Sequence, residues 1–147
     1  MSARTAPPPQ QPAEPGTAEV RRRLPHSPRS PGRARALLRS QLAEWSIDGE
    51  VVLVAELLLS ELVTNSLLHA RAPKGREIGV RVARYEGRLR VEVADAHDGR
   101  PRVREAAAED EHGRGLALVE ALSDRWGCCP RLHGIGKATW AEVVLTQ

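Results

Sequence analysis

The chain has 147 residues and a mass of 16.1 kDa, enough for one domain with one sizeable core and too little for a second. Residues of the hydrophobic set make up 41%, yet Phe is absent and Tyr occurs once, so the core has to be built from Leu, Val and Ala. The net charge of +3 comes from arginines spread along most of the chain, and aromatic side chains for base stacking are scarce, which argues against direct nucleic-acid binding.

Eight of the eleven prolines fall at or before Pro31. Residues 1–18 read as a disordered Pro-rich tail and 19–147 as the folded domain. Val20–Leu24 is expected to be a short edge strand stopped by Pro25. Ser30-Pro31 reads as an N-cap followed by a first-turn proline, and Leu37, Leu38, Leu42 and Trp45 at helical spacing carry that helix to about Trp45. Asp48-Gly49 breaks the chain. Glu50–His69 is a second helix, apolar nearly all round and so buried on several sides. Arg71–Gly75 is a turn containing Pro73.

Glu77–Tyr85 alternates through Ile78, Val80 and Val82, and Leu89, Val91 and Val93 alternate again after Glu86-Gly87, which predicts a hairpin. A polar loop follows, then a charged, Ala-containing stretch over Arg102–His112. Gly115–Leu122 is a short helix. Trp126, Cys128 and Leu132 lie on a strand, and Ala138–Leu145 is the last strand, reached through the turn at Gly134-Ile135-Gly136. The order β, α, α, β, β, α, β, β predicts an α+β two-layer α/β sandwich, with a mixed, mostly antiparallel sheet and helices on one face.

No apolar run reaches the ~18 residues of a membrane span, and the polar N-terminus does not read as a signal peptide. A cytoplasmic location away from membranes is the expectation. Cys128 and Cys129 are neighbours, and neighbours on a strand point to opposite faces, so two reduced thiols are expected rather than a disulfide or a zinc site.

Three features carry chemistry. Glu61, Asn65 and His69 are spaced four apart, which aligns them as one polar stripe on an otherwise apolar helix. A buried carboxylate and amide are costly unless something pairs with them, and Mg²⁺ takes only one or two protein oxygens beside phosphates and water. For His69, near the helix end, a plain solvent-facing role is as good a reading. Asp95 ends an alternating strand, where a turn residue or a group at a pocket edge is expected. Gly113-Arg114-Gly115 opens an apolar helix, whose free N–H groups and positive dipole end suit phosphate.

Together these segments resemble a known family. Glu61-Leu62-Val63-Thr64-Asn65-Ser66-Leu67-Leu68-His69 resembles the N-box of the GHKL, or Bergerat-fold, ATP-binding superfamily. The stretch from Val93 through Asp95 to Pro101 is similar to its G1 box, and the stretch from Gly113 to Val119 to its G2 box. Leu122–Gly127 and Gly136–Trp140 resemble the small bacterial proteins related to anti-sigma factor serine kinases. The resemblance covers roughly residues 20–147.

The resemblance implies a set of roles. Asn65 would hold Mg²⁺ between the phosphates of ATP, and Glu61 would act as general base or position the nucleophile. Asp95 would accept a hydrogen bond from the adenine amino group, and Thr139 would line the adenine pocket. Gly99, Gly113, Gly115 and Leu116 would belong to the nucleotide-binding boxes, with Arg114 adding charge beside the phosphates. Arg102–His112 would be the lid. His97 stands where the G1 pattern has its first glycine, a larger group that would crowd adenine. The implied partners are a sigma factor, an anti-anti-sigma (STAS-type) protein or both, and the family often dimerises.

Two function classes follow. One is an ATP-dependent serine/threonine kinase acting on an anti-anti-sigma partner. The other is a non-catalytic ATP-binding module that regulates transcription by sequestration. A histidine-kinase catalytic domain would need a helical hairpin that the residues before Pro31 do not provide. Nucleic-acid binding through Arg21-Arg22-Arg23 would show salt-sensitive affinity for DNA.

Overall fold

Two of the strand connections are hairpins and two are long. The fold comes from a computed structural model, which describes residues 17–69, 77–95, 117–130 and 137–145. Strand β1 (Ala18–Pro25) leads into helices α1 (Ser30–Glu44) and α2 (Glu50–His69), then strands β2 (Glu77–Tyr85) and β3 (Arg88–Asp95), and finally β4 (Arg125–Pro130) and β5 (Lys137–Val144). A short helical stretch, 117–122, precedes β4. The five strands lie in the order β1-β2-β3-β5-β4, and all four pairings are antiparallel. This is the α+β two-layer arrangement expected from the sequence. The turns predicted at 71–75 and 134–136, the loop and charged stretch up to His112, and Leu132 lie outside the described residues.

The β2–β3 hairpin turns at Glu86 and Gly87, with φ of 52° and 72°. Positive φ at both central residues matches the right-handed twist of the flanking strands, and glycine takes it without steric cost. The end of β5 is tied to the same turn, because Leu145 N–H donates to the Gly87 carbonyl at 2.7 Å.

Helix α1 starts one residue earlier than predicted, and Ser30 is not its cap. Arg29 occupies the N-cap without a side-chain cap bond. The Ser30 hydroxyl is buried and donates to the Pro25 carbonyl, where β1 ends. Ser27 organises the turn instead: its Oγ accepts from Arg29 N–H at 3.2 Å and its carbonyl from Ser30 N–H at 2.9 Å. Pro31 sits in the first turn, where no N–H is needed.

Helix α2 shows why one helix can look apolar on every side. Ala55, Leu58, Leu59, Leu62 and Val63 are buried, a stripe of about one face. The opposite face leaves Leu53 67%, Leu57 41% and Leu68 62% exposed, so the expectation of burial on several sides holds for the sheet side and the α1 flank only. Over Glu50–Leu68 the helix has the length and mean hydropathy, 1.8, of a membrane span. Glu56, Glu61 and Asn65 interrupt it, and it packs as a core helix against α1, β3 and β5.

The core lies between helices and sheet. Ile78, Val80 and Val82 of β2, Leu89, Val91 and Val93 of β3, and Ala141 and Val143 of β5 meet Ala34, Leu38 and Leu42 of α1 and the buried stripe of α2. Full burial of each such Leu or Val stabilises by about 1.5–3 kcal/mol. Val119 of the 117–122 helix joins this cluster.

The other face of the sheet is sealed by charge rather than by a second layer. Glu142, fully buried, accepts from Arg90 Nη1 at 3.0 Å and from the Tyr85 hydroxyl. Arg88 and Arg125 stand 4.0 and 3.8 Å from its other oxygen. Glu92 links Arg90 and Arg81, each at 3.3 Å, and Arg81 goes on to Glu19 at 2.7 Å. The Arg90 guanidinium lies 4.2 Å from the centroid of the buried Trp140 ring, a cation–π contact that also shields the indole. Burial opposes the charge on Arg90, but Glu92 and Glu142 more than offset it and raise its pKa. Burial likewise pushes the Glu19 carboxyl up, and its hydrogen bonds to Arg21 and Arg81 more than reverse this, so it lies below the usual value.

Candidate functional site

The chain path brings Glu61, Asn65, Asp95 and Thr139, the predicted site residues among those described, to one end of the sandwich. Helix α1 begins just beyond Pro25, which pairs with Glu77, and Ile78 beside it pairs with Asp95. Helix α2 runs back against α1, because Arg39 reaches Glu56 and Arg35 reaches Ser60, both at 3.0 Å. The C-terminal half of α2, with Glu61 and Asn65, therefore lies at the Asp95 end of the sheet. Thr139 is there too, opposite Val93 of β3 and Cys128 of β4.

On α2, Glu61 and Asn65 are one turn apart on the flank turned away from the Glu56–Ser60 line that faces α1. Glu61 is partly buried and has no ion-pair partner among the described residues. The Asn65 side-chain nitrogen is buried and has no hydrogen-bond partner among the described residues. An orphaned buried amide costs about 1–3 kcal/mol, and such an exception calls for a ligand or water. The side chain of an amide can present either its oxygen or its nitrogen by a half-turn, so it suits both a metal and a phosphate oxygen. These residues fit the magnesium and nucleotide that the resemblance implies.

In the sheet, Asp95 occupies the position in phase with Val91 and Val93 at the end of β3. Thr139 is paired with Val93, which makes the two positions diagonal neighbours roughly 7–8 Å apart. Thr139 is partly exposed and its Oγ1 lies 3.6 Å from the free Cys128 sulfur. Sequence reasoning gives Cys128 no role beyond that of a reduced thiol; its strand phase, shared with Trp126, is the signal that puts it beside Thr139. It also misses Ser66, whose hydroxyl is buried next to Asn65 without a partner among the described residues. His69 closes α2. Gly99, Gly113, Arg114, Gly115 and Leu116, together with His97 and the predicted lid, lie outside the described residues.

A two-layer antiparallel sandwich whose covering helix carries Glu61 and Asn65 at the Asp95 end of the sheet has the architecture of the Bergerat type. Residues 24–140 match the sequence profile of the histidine kinase-like ATPase domain, and the chain belongs to that family. Among solved structures it is similar to the RsbU and RsbW domains of Rv1364c from Mycobacterium tuberculosis. The TM-score is 0.68 and the identity 23%, over 88% of this chain and 33% of that one. The chain thus spans about a third of the length of the chain it matches. No curated protein matches the sequence.

Proposed function

We propose that the chain binds Mg-ATP and transfers its terminal phosphoryl group to a serine or threonine of a regulatory partner of the anti-anti-sigma (STAS) type, while also sequestering a sigma factor. The single observation that carries this reading is the buried amide of Asn65, one turn after Glu61 and without a hydrogen-bond partner among the described residues. Membership of the ATPase family and the likeness to a protein with an RsbW domain support it.

In this reading Asn65 orients the metal and a phosphate oxygen. Glu61 takes the proton from the attacking hydroxyl or fixes its position. Asp95 accepts from the adenine amino group and Thr139 lines the base pocket, while Gly113 and Gly115 let the backbone close on the phosphates beside Arg114, and Gly99 and Leu116 belong to the same nucleotide-binding segments. Magnesium, when bound, offsets the charge on the phosphates.

A second reading keeps nucleotide binding and drops the chemistry, and His97 in the G1 segment favours it. Glu61→Gln separates the two. The amide keeps the volume and loses the base, so ATP should still bind while label transfer from ATP to the partner falls roughly a hundredfold. If the parent chain binds ATP and transfers nothing to a STAS-type partner, the binding-module reading stands.

A further inference from the structure

The helix-facing side of the sheet opens at one level on two neighbouring strands. On β4, Trp126 is buried in the core, whereas Cys128, two residues on and projecting to the same face, is exposed. On β5, Ala141 is fully buried and Thr139 is partly exposed. Trp126 pairs with Ala141 and Cys128 with Thr139, so the core ends between these two rungs. The Thr139 hydroxyl donates to the Cys128 sulfur at 3.6 Å, which puts a free, exposed thiol against the residue that lines the base pocket.

Helix α2 supplies an independent mark of a ligand in the same space. Leu59, Leu62 and Ser66 recur at helical spacing, and both leucines are core residues, so Ser66 continues their stripe toward the sheet, one turn nearer its Asp95 end. The strands beneath α2 are β3 and β5. Ser66 is only 8% exposed, and its hydroxyl has no hydrogen-bond partner among the described residues. A helical serine can satisfy its hydroxyl on the carbonyl four residues back. This one does not, and it is aimed into the space between α2 and the strand end that carries Thr139. A buried hydroxyl left open in this way calls for a bound group or water.

We propose that Cys128 is a thiol modification site that gates the nucleotide pocket: a low-molecular-weight disulfide thiolates it, and a thiolated Cys128 and a bound nucleotide exclude each other. This rests on the Mg-ATP reading and adds a control to that site. In the step, the Cys128 thiolate attacks one sulfur of the disulfide. A new S–S bond forms to Sγ as the old one breaks, and the departing thiolate carries off the electron pair and takes up a proton. The cysteine sulfur is oxidised and the departing sulfur reduced, so no further oxidant is needed, and excess thiol reverses the step. The adduct stands beside Thr139 on the face that the base has to approach, so it blocks the pocket by its bulk. Binding and release of nucleotide thereby become coupled to the thiol–disulfide balance of the surroundings.

The test uses dithiodipyridine as the disulfide on the reduced full chain. Released thiopyridone is read by its absorbance, and the reaction of Cys128 is the parent's minus that of Cys128→Ser. Mg-ATP at ten times its dissociation constant, measured by calorimetry on the same preparation, should slow Cys128 roughly tenfold, because only the nucleotide-free fraction reacts. The thiolated parent, freed of reagent, should lose the thermal shift that Mg-ATP gives the reduced chain and regain it in dithiothreitol. The same treatment should leave the shift of Cys128→Ser where it was. An unchanged rate under saturating Mg-ATP, or a full thermal shift in the thiolated parent, overturns the proposal and leaves nucleotide binding standing. Loss of the fold on thiolation, read by circular dichroism, assigns the sulfur to packing and overturns it as well. A reduced parent that shows no calorimetric binding of Mg-ATP brings down the nucleotide reading itself, and this proposal with it.

Discussion

The indole of Trp140 lies flat against Gly127, its register partner on the neighbouring strand. A Cβ built on Gly127 would stand 2.8 Å from Trp140 Cζ2 and 3.0 Å from Nε1. The indole cannot retreat, because it is fully buried and Arg90 lies over it.

Gly127→Ala should therefore destabilise the domain by about 1–3 kcal/mol, the usual cost of overpacking. For a chain of this length the melting temperature should drop by several degrees, and urea melts should show a lower midpoint at unchanged slope. A melting temperature equal to the parent's would mean that the indole has room to shift.

Tyr85 should make the protein sensitive to alkali. Burial and then its hydrogen bond to Glu142 raise the phenol above its ordinary value of 10.0, because ionisation would put two anions side by side. The folded pKa exceeds the unfolded one, so this stabilisation is complete below about pH 10 and drains away as pH rises through the folded value. Tyr85 is the only tyrosine, so absorbance at 295 nm follows it directly. The titration midpoint should lie above that of the urea-unfolded chain. Stability should fall more steeply above about pH 10 in the parent than in Tyr85→Phe. Coincident midpoints would rule out the coupling.

Asn65→Ala should separate fold from ligand. The change removes a buried amide that has no partner among the described residues and introduces a better helix former, so stability without nucleotide should hold or rise. The stabilisation that Mg-ATP gives the parent, which grows with ligand concentration, should disappear. Thermal shift with and without Mg-ATP reads both, and a parent-sized shift in the variant would remove Asn65 from the site.

Asp95→Asn should blur the choice of base. Adenine offers an amino donor at its six-position, guanine a carbonyl acceptor. An ionised carboxylate only accepts, so it suits the first and repels the second. The variant should lose about 1–3 kcal/mol of ATP affinity, the cost of a mismatched buried pair, and narrow the gap between ATP and GTP. Calorimetric titration of both nucleotides decides it; an undiminished ATP preference would return Asp95 to a plain turn residue.

The alternating strands and the long apolar helix were legible because their periods differ, two against 3.6, and each burial stripe follows its period. The Glu61–Asn65 pair was legible because polar residues four apart share a helix face. Other features depend on contacts that no local pattern encodes. Ser30 has the sequence context of a cap, but the carbonyl that takes its hydroxyl belongs to Pro25, across a turn set by Ser27. The insertion of β5 between β3 and β4 is a choice among pairings of similar strands. The burial of Glu142 joins residues from several strands, and in sequence each of them looks like an ordinary outward charge.

Strand β1 forms one margin of the sheet, and Arg21, Arg22 and Arg23 stand exposed on it. Their consequence is colloidal. An unpaired strand margin is a template on which further chains can polymerise, and natural proteins blunt it with charge. Consecutive side chains project to opposite faces, so three arginines in a row guard the margin from above and below. A second β1 approaching edge to edge would bring the two guanidinium triplets together. The triplet thus acts as a gatekeeper: replacing it with valines would leave the interior unchanged and turn the margin into a seed for fibrils.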